Sequence, residues 1–151
     1  MVSLANVRRL LEFNNHRQHE CERGLDKALR SLVPLERELH EIEQQAQGLN
    51  ELLVSQRAED QCLSHGQLLA LLRRQAVIRR QIGNLALERA RVMDQQQEVV
   101  QEVERLQRHR KDLQKKHLKY QSLERRLLVE RCSRLWRQEE NDIDELLVNW
   151  K

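Results

Sequence analysis

The sequence predicts an all-α chain: two long helices forming an antiparallel coiled-coil hairpin, with helix 2 longer and overhanging. Three observations carry this. The 151 residues include four glycines, one proline, 34% charged side chains and 3% aromatics. Such a chain is rich in good helix formers, has few places to turn, and can bury a stripe but hardly a globular core. Apolar residues recur at 3/4 spacing along two long segments, and one short stretch, "RAEDQCLSHGQ" at residues 57 to 67, interrupts them. Residues 1–151 are thus read as a single coiled-coil hairpin, with helix 1 at about 3–58, a turn at about 59–64 and helix 2 at about 65–148.

Helix 1 follows from a seam running Leu4, Val7, Leu11, Asn14, Gln18, Cys21, Leu25, Ala28, Leu32, Leu35, Leu39, Ile42, Ala46, Leu49, Leu53, Gln56. Thirteen of these sixteen positions are apolar, the signature of a coiled-coil helix. Pro34 falls inside. An interior proline costs roughly 3 kcal/mol and kinks or ends most helices. Leu32 and Leu35 keep the phase across it, so one kinked helix is expected, not two.

At the break, Ser64 with Gln67 three residues later has the form of a capping box and starts helix 2. Its first seam line is Ile78, Leu85, Val92, Val99, Leu106, Leu113, Tyr120, Leu127. The second, Gln75, Ile82, Arg89, Gln96, Val103, Arg110, His117, Glu124, is half polar, which weakens a seam but fixes orientation better. A connection this short forces antiparallel packing.

With the turn centred near residue 62, facing residue numbers should add to about 124, and residue 4 should face residue 120. Charge fits that pairing. Residues 33 to 60 carry Glu36, Glu38, Glu41, Glu43, Glu51, Glu59 and Asp60 against Arg37 and Arg57, a net of −5. Residues 61 to 92 carry Arg73, Arg74, Arg79, Arg80, Arg89 and Arg91 against Glu88, a net of +5. The arginine pairs Arg73–Arg74 and Arg79–Arg80 are expected to answer the acids of helix 1, because flanking charges choose orientation in coiled coils.

This layout leaves some 25 to 30 residues of helix 2 without a partner, roughly 40 Å of helix holding Leu127, Leu128, Leu135, Trp136, Leu146, Leu147 and Trp150. The end where the termini meet is basic. Residues 105 to 119 hold Arg105, Arg108, Arg110, Lys111, Lys115, Lys116 and Lys119 against Asp112, a net of +6. Across from them, Arg8, Arg9 and Arg17 stand against Glu12. An acidic protein surface is the simplest counterpart.

Several function classes are disfavoured. No apolar run approaches the ~20 residues that span a bilayer, so no membrane insertion is expected. The first residues, "MVSLANVRRLLEFNN", lack the apolar core and cleavage site of a signal peptide. Cys21, Cys62 and Cys132 read as free thiols in a reducing compartment. No metal site is expected: His16, His19 and Cys21 lie about 60 Å from Cys62 and His65 on a straight helix, and each group alone has too few ligands.

No catalytic residues and no cofactor are expected either. There is no phosphate-binding glycine loop, and a two-helix hairpin has no cavity that could desolvate a substrate. Nucleic acid is disfavoured despite a pI of about 9.0, since the cations of "RLQRHRKDLQKKHLK" point to several sides with Tyr120 alone for stacking. Four leucines, Leu68, Leu69, Leu71 and Leu72, exceed one seam. Some of them face outward as a binding surface, or the end of helix 1 covers them.

The stretch "LLALLRRQAVIRRQIGNL", just after the turn, resembles the central-stalk proteins of bacterial type III secretion systems (the SctO family), above all the InvI/SpaM branch, with YscO and flagellar FliJ as more distant relatives. The similarity is concentrated in residues 64 to 90. It implies a non-enzymatic, cytoplasmic stalk, peripheral to the inner membrane at the secretion apparatus, that links the hexameric export ATPase to the cytoplasmic domain of the export gate. Carried over, the gate contact is the tip region Leu68, Leu69, Leu72 and Ala76. The ATPase contact is expected at the terminal end, through Arg105, Arg108, Arg110, Lys111 and Trp136. Secretion chaperones are a further candidate partner. Pro34 and the polar second seam line depart from the pattern. The alternative is a generic coiled-coil scaffold or chaperone escort with no ATPase partner, which would form a dimer through the overhang.

Overall fold

The computed structural model describes residues 2–57 and 62–150. Its elements are α1 (Leu4–Ser55) and α2 (His65–Asn149), so the second helix is the longer. The expected turn residues 59–61, including Glu59 and Asp60, lie outside the described residues. Ser3 caps α1: its Oγ accepts from the Asn6 N–H at 3.2 Å, which satisfies one of the orphan donors of the first turn. α1 runs unbroken through Pro34. Arg30 and Pro34 are both exposed, so water can reach the Arg30 carbonyl that has lost its i+4 donor. The capping box of α2 is closed in both directions. The Gln67 N–H donates to Ser64 Oγ at 3.3 Å, and the Ser64 N–H donates to Gln67 Oε1 at 3.0 Å.

The chain packs as two compact units, Met1–Leu25 with Arg105–Lys151, and Asp26–Glu104. Each is a pair of antiparallel helical segments. In the first, Val7, Cys21, Leu25, Leu106 and Leu113 form the core together with one buried polar residue, Asn14. Asn14 Nδ2 donates to the Leu113 carbonyl at 3.1 Å, and Cys21 Sγ donates to the Leu106 carbonyl at 3.3 Å. The thiol therefore serves as a small seam residue. In the second unit Ile42, Ile78, Val92 and Val103 are buried. All sixteen seam positions expected in α1 are buried or half-buried, as are all eight of the first line of α2. Of the polar second line only Arg89 is exposed.

The register differs from the expected one. Asn14 meets Leu113, Cys21 meets Leu106, Arg8 meets Glu124, Glu43 meets Arg89 and Gln56 meets Gln75, so paired numbers add to between 127 and 132, not to about 124. The reason lies at the C-terminus of α1. There Gln75 Nε2 donates to the Gln56 carbonyl at 2.9 Å and satisfies a group that the helix end leaves open. The turns of α2 from His65 to Arg74, about 15 Å of helix, already lie beyond that point. A symmetric turn would have ended both helices together.

The shift also corrects the charge pairing. Arg89 reaches Glu43 at 3.3 Å and Arg91 reaches Glu38 at 3.8 Å. Arg73, Arg74, Arg79 and Arg80, expected to answer the acids of α1, are exposed and make no ion pair among the described residues.

Candidate interaction surfaces

In the second unit, the start of α2 carries an apolar face. Leu71 turns to the seam and is half-buried, whereas Leu68, Leu69 and Leu72 are 39%, 42% and 48% exposed, and Ala76 is exposed too. Leu69, Leu72 and Ala76 stand at i, i+3 and i+7 and so share one side of the helix. Arg73 and Arg80, unpaired among the described residues, lie next to that side. The expected tip residues therefore form one surface, apolar with a basic border. Leu69, Leu72 and Ala76 are bare because they lie on the side of α2 turned away from the seam that Leu71, Gln75 and Ile78 present to α1.

In the first unit the five residues assigned to the other end do not form one surface. Arg108 and Lys111 are exposed and unpaired among the described residues, as are Lys115, Lys116 and Lys119. Arg105 is exposed but already engaged. Arg110 is half-buried towards the seam, and its Nε is enclosed without a hydrogen-bond partner. Trp136 is 70% exposed and lies about 40 Å further along the helix. A partner touching all of them would have to follow α2 for most of that distance.

From Leu128 to Trp150 every residue is exposed. α1 begins at Leu4, close to Leu123 and Leu127, so the uncovered helix is about 33 Å long, shorter than the expected 40 Å. Sequence reasoning passed over the exposed Leu10 and Phe13 of α1, and Leu118 of α2, 66% exposed. Arg17 lies over the Phe13 ring at 5.5 Å, a cation–π pair. The signal was available, since all three are large apolar residues outside the seam.

No metal-binding arrangement is present among the described residues: no group of three or more His, Cys, Asp or Glu could hold an ion. His16 instead pairs with Glu20 at 3.0 Å. No described helix is long and apolar enough to cross a membrane.

The family model described as Salmonella surface presentation of antigen gene type M protein matches residues 5–147. The chain belongs to this family. It is a family of InvI/SpaM-like type III secretion proteins, so the chain is a type III secretion-associated protein, and the family is not a known enzyme family. The match takes in nearly all of both helices, including α1 and the uncovered end of α2, where the sequence resemblance had been concentrated in residues 64 to 90. No curated protein and no solved structure gives a match.

Proposed function

We propose that the chain is the central stalk of a type III secretion export apparatus, cytoplasmic and peripheral to the inner membrane, which links the hexameric ATPase to the export gate and stimulates its turnover. It performs no chemistry of its own. The observation that carries this reading is the first unit, where unpaired cations and a bare tryptophan-bearing helix occur on one segment. Positive charge steers encounter with an acidic surface and sets its salt dependence, while the bare helix supplies apolar area for tight contact. A ring with an acidic inner wall matches both. The leucine face at the start of α2 is the gate contact in this reading.

The test uses the purified chain and the export ATPase of the same system. The chain is expected to raise ATPase hexamerisation or turnover, and Arg108→Glu with Lys111→Glu to abolish the stimulation while helicity stays unchanged. Arg110 is left intact because it faces the seam. Stimulation that survives the double reversal overturns the assignment of this end. At the other end, Leu68→Asp with Leu72→Asp should keep the two helices and lose capture of the gate's cytoplasmic domain. Capture that persists refutes the tip contact.

A further inference from the structure

The uncovered end of α2 is not an unused length of seam. Beyond Leu127 the first seam line continues as Arg134, Asn141 and Val148, and the second continues beyond Glu124 as Arg131, Gln138 and Glu145. Apart from Val148 both lines have become polar. The apolar residues have moved to another side of the helix: Val129, Trp136, Ile143 and Trp150 recur every seven residues, with Cys132, Glu139 and Leu146 between them at 3/4 spacing. That is a complete heptad seam with one polar member. It lies more than a third of a turn from the side that faces α1. Its members are bare: Val129, Trp136, Ile143, Leu146 and Trp150 are 65%, 70%, 56%, 65% and 91% exposed.

We infer that this second seam binds its own counterpart on another copy of the chain, with the two helices antiparallel. Charge decides the orientation. Followed backwards, the same stripe runs through Arg125, Leu118, Lys115, Lys111 and Arg108. A parallel, in-register pair would set Glu139 on Glu139 and then align Lys115, Lys111 and Arg108 with themselves, a run of like charges. The antiparallel pair ends before that run and carries the two basic stretches to opposite ends. It also lays the acids of one copy, Glu139, Glu140 and Asp142, beside the Arg126 to Arg137 region of the other.

The 3/4 spacing then fixes the layers. Val129 meets Leu146 of the second copy, Cys132 meets Ile143, Trp136 meets Glu139, and Arg125 comes over Trp150, a pairing that guanidinium and indole favour. An anionic membrane is a poorer fit, because the apolar side is bordered by Glu140 and Asp142.

Pairing uses the Trp136 face that the stalk reading gives to the ATPase ring, so a copy is either paired or inserted, and three measurements on the full-length chain without any ATPase test the pairing alone. Sedimentation equilibrium should show mass rising to that of a dimer with concentration, and Trp136→Asp should weaken association at least about tenfold. In a Cys62→Ser background, mild oxidation should give no linked dimer through Cys132, because antiparallel copies hold those thiols about 16 Å apart. Adding Ile143→Cys should produce the linked dimer. In a Cys62→Ser, Cys132→Ser background, Val129→Cys with Leu146→Cys should do the same and leaves the Ile143 layer intact. A monomer at every concentration that resists linking in both variants overturns the proposal. So does linking through Cys132 alone, which reports a parallel pair, and so does association seen only with anionic vesicles.

Discussion

Among the described residues Asn14 is the one polar residue buried in a seam, 3% exposed, with Nδ2 donating to the Leu113 carbonyl at 3.1 Å. Replacing it by leucine removes a hydrogen bond worth about 1 kcal/mol net. It strands nothing, since a carbonyl inside α2 keeps its helical donor. The leucine buries apolar surface worth about 1.5–3 kcal/mol, and crowding against Val7 and Leu113 returns about 1 kcal/mol of that. Together these terms place Asn14→Leu between a loss of about 0.5 kcal/mol and a gain of about 1 kcal/mol, within about 3 °C of the parent in Tm for a chain of this size. Asn14→Ala loses the hydrogen bond and leaves a void, and should cost about 2 kcal/mol. Urea unfolding followed by far-ultraviolet circular dichroism should place the leucine variant within about 1 kcal/mol of the parent and the alanine variant lowest. If the leucine variant is less stable than the parent by about 1 kcal/mol or more with helicity intact, the amide is not a register device held at a cost in stability, and the reasoning fails.

Three further outcomes are expected. Gly48 and Gly83 sit in helix interiors where an added Cβ would meet nothing within 4 Å, so Gly48→Ala and Gly83→Ala should each stabilise by about 1 kcal/mol, read as a rise in urea midpoint. Ser64→Ala breaks the reciprocal cap of α2 and should cost about 1 kcal/mol, with amide exchange accelerated in the turns holding Leu68 and Leu72. Glu43 and Arg89 are about half-exposed, so a double-mutant cycle between Glu43→Gln and Arg89→Gln should give a coupling of at most about 1 kcal/mol that fades in high salt. A coupling well above that would mean the pair is more desolvated than its exposure indicates.

The two helices, their approximate bounds, the seam of α1 and the cap at Ser64 were all legible in the residues, because heptad spacing and capping chemistry are local properties of the chain. The path through Pro34 was legible for the same reason: the phase on either side was continuous. The second seam was equally present in the sequence, in Val129, Trp136, Ile143 and Trp150, but it stayed hidden while the whole of α2 was read as a single stripe. The side on which a residue lies matters only once the end of its neighbour is known.

By itself the sequence determined that α1 and α2 exist and which of their side chains point inward, since periodicity and propensity act over a few residues at a time. Only the tertiary structure decided the offset between the two segments. It placed Gln56 against Gln75, passed Arg73, Arg74, Arg79 and Arg80 over in favour of Arg89 and Arg91, and left Leu68, Leu69 and Leu72 beyond the end of α1. A heptad pattern repeats, so sliding one helix by seven residues keeps every apolar contact in kind. The choice among such alignments rests on singular features such as the Asn14 amide and the Gln75 side chain, whose partners are backbone carbonyls that no pattern of side chains reveals.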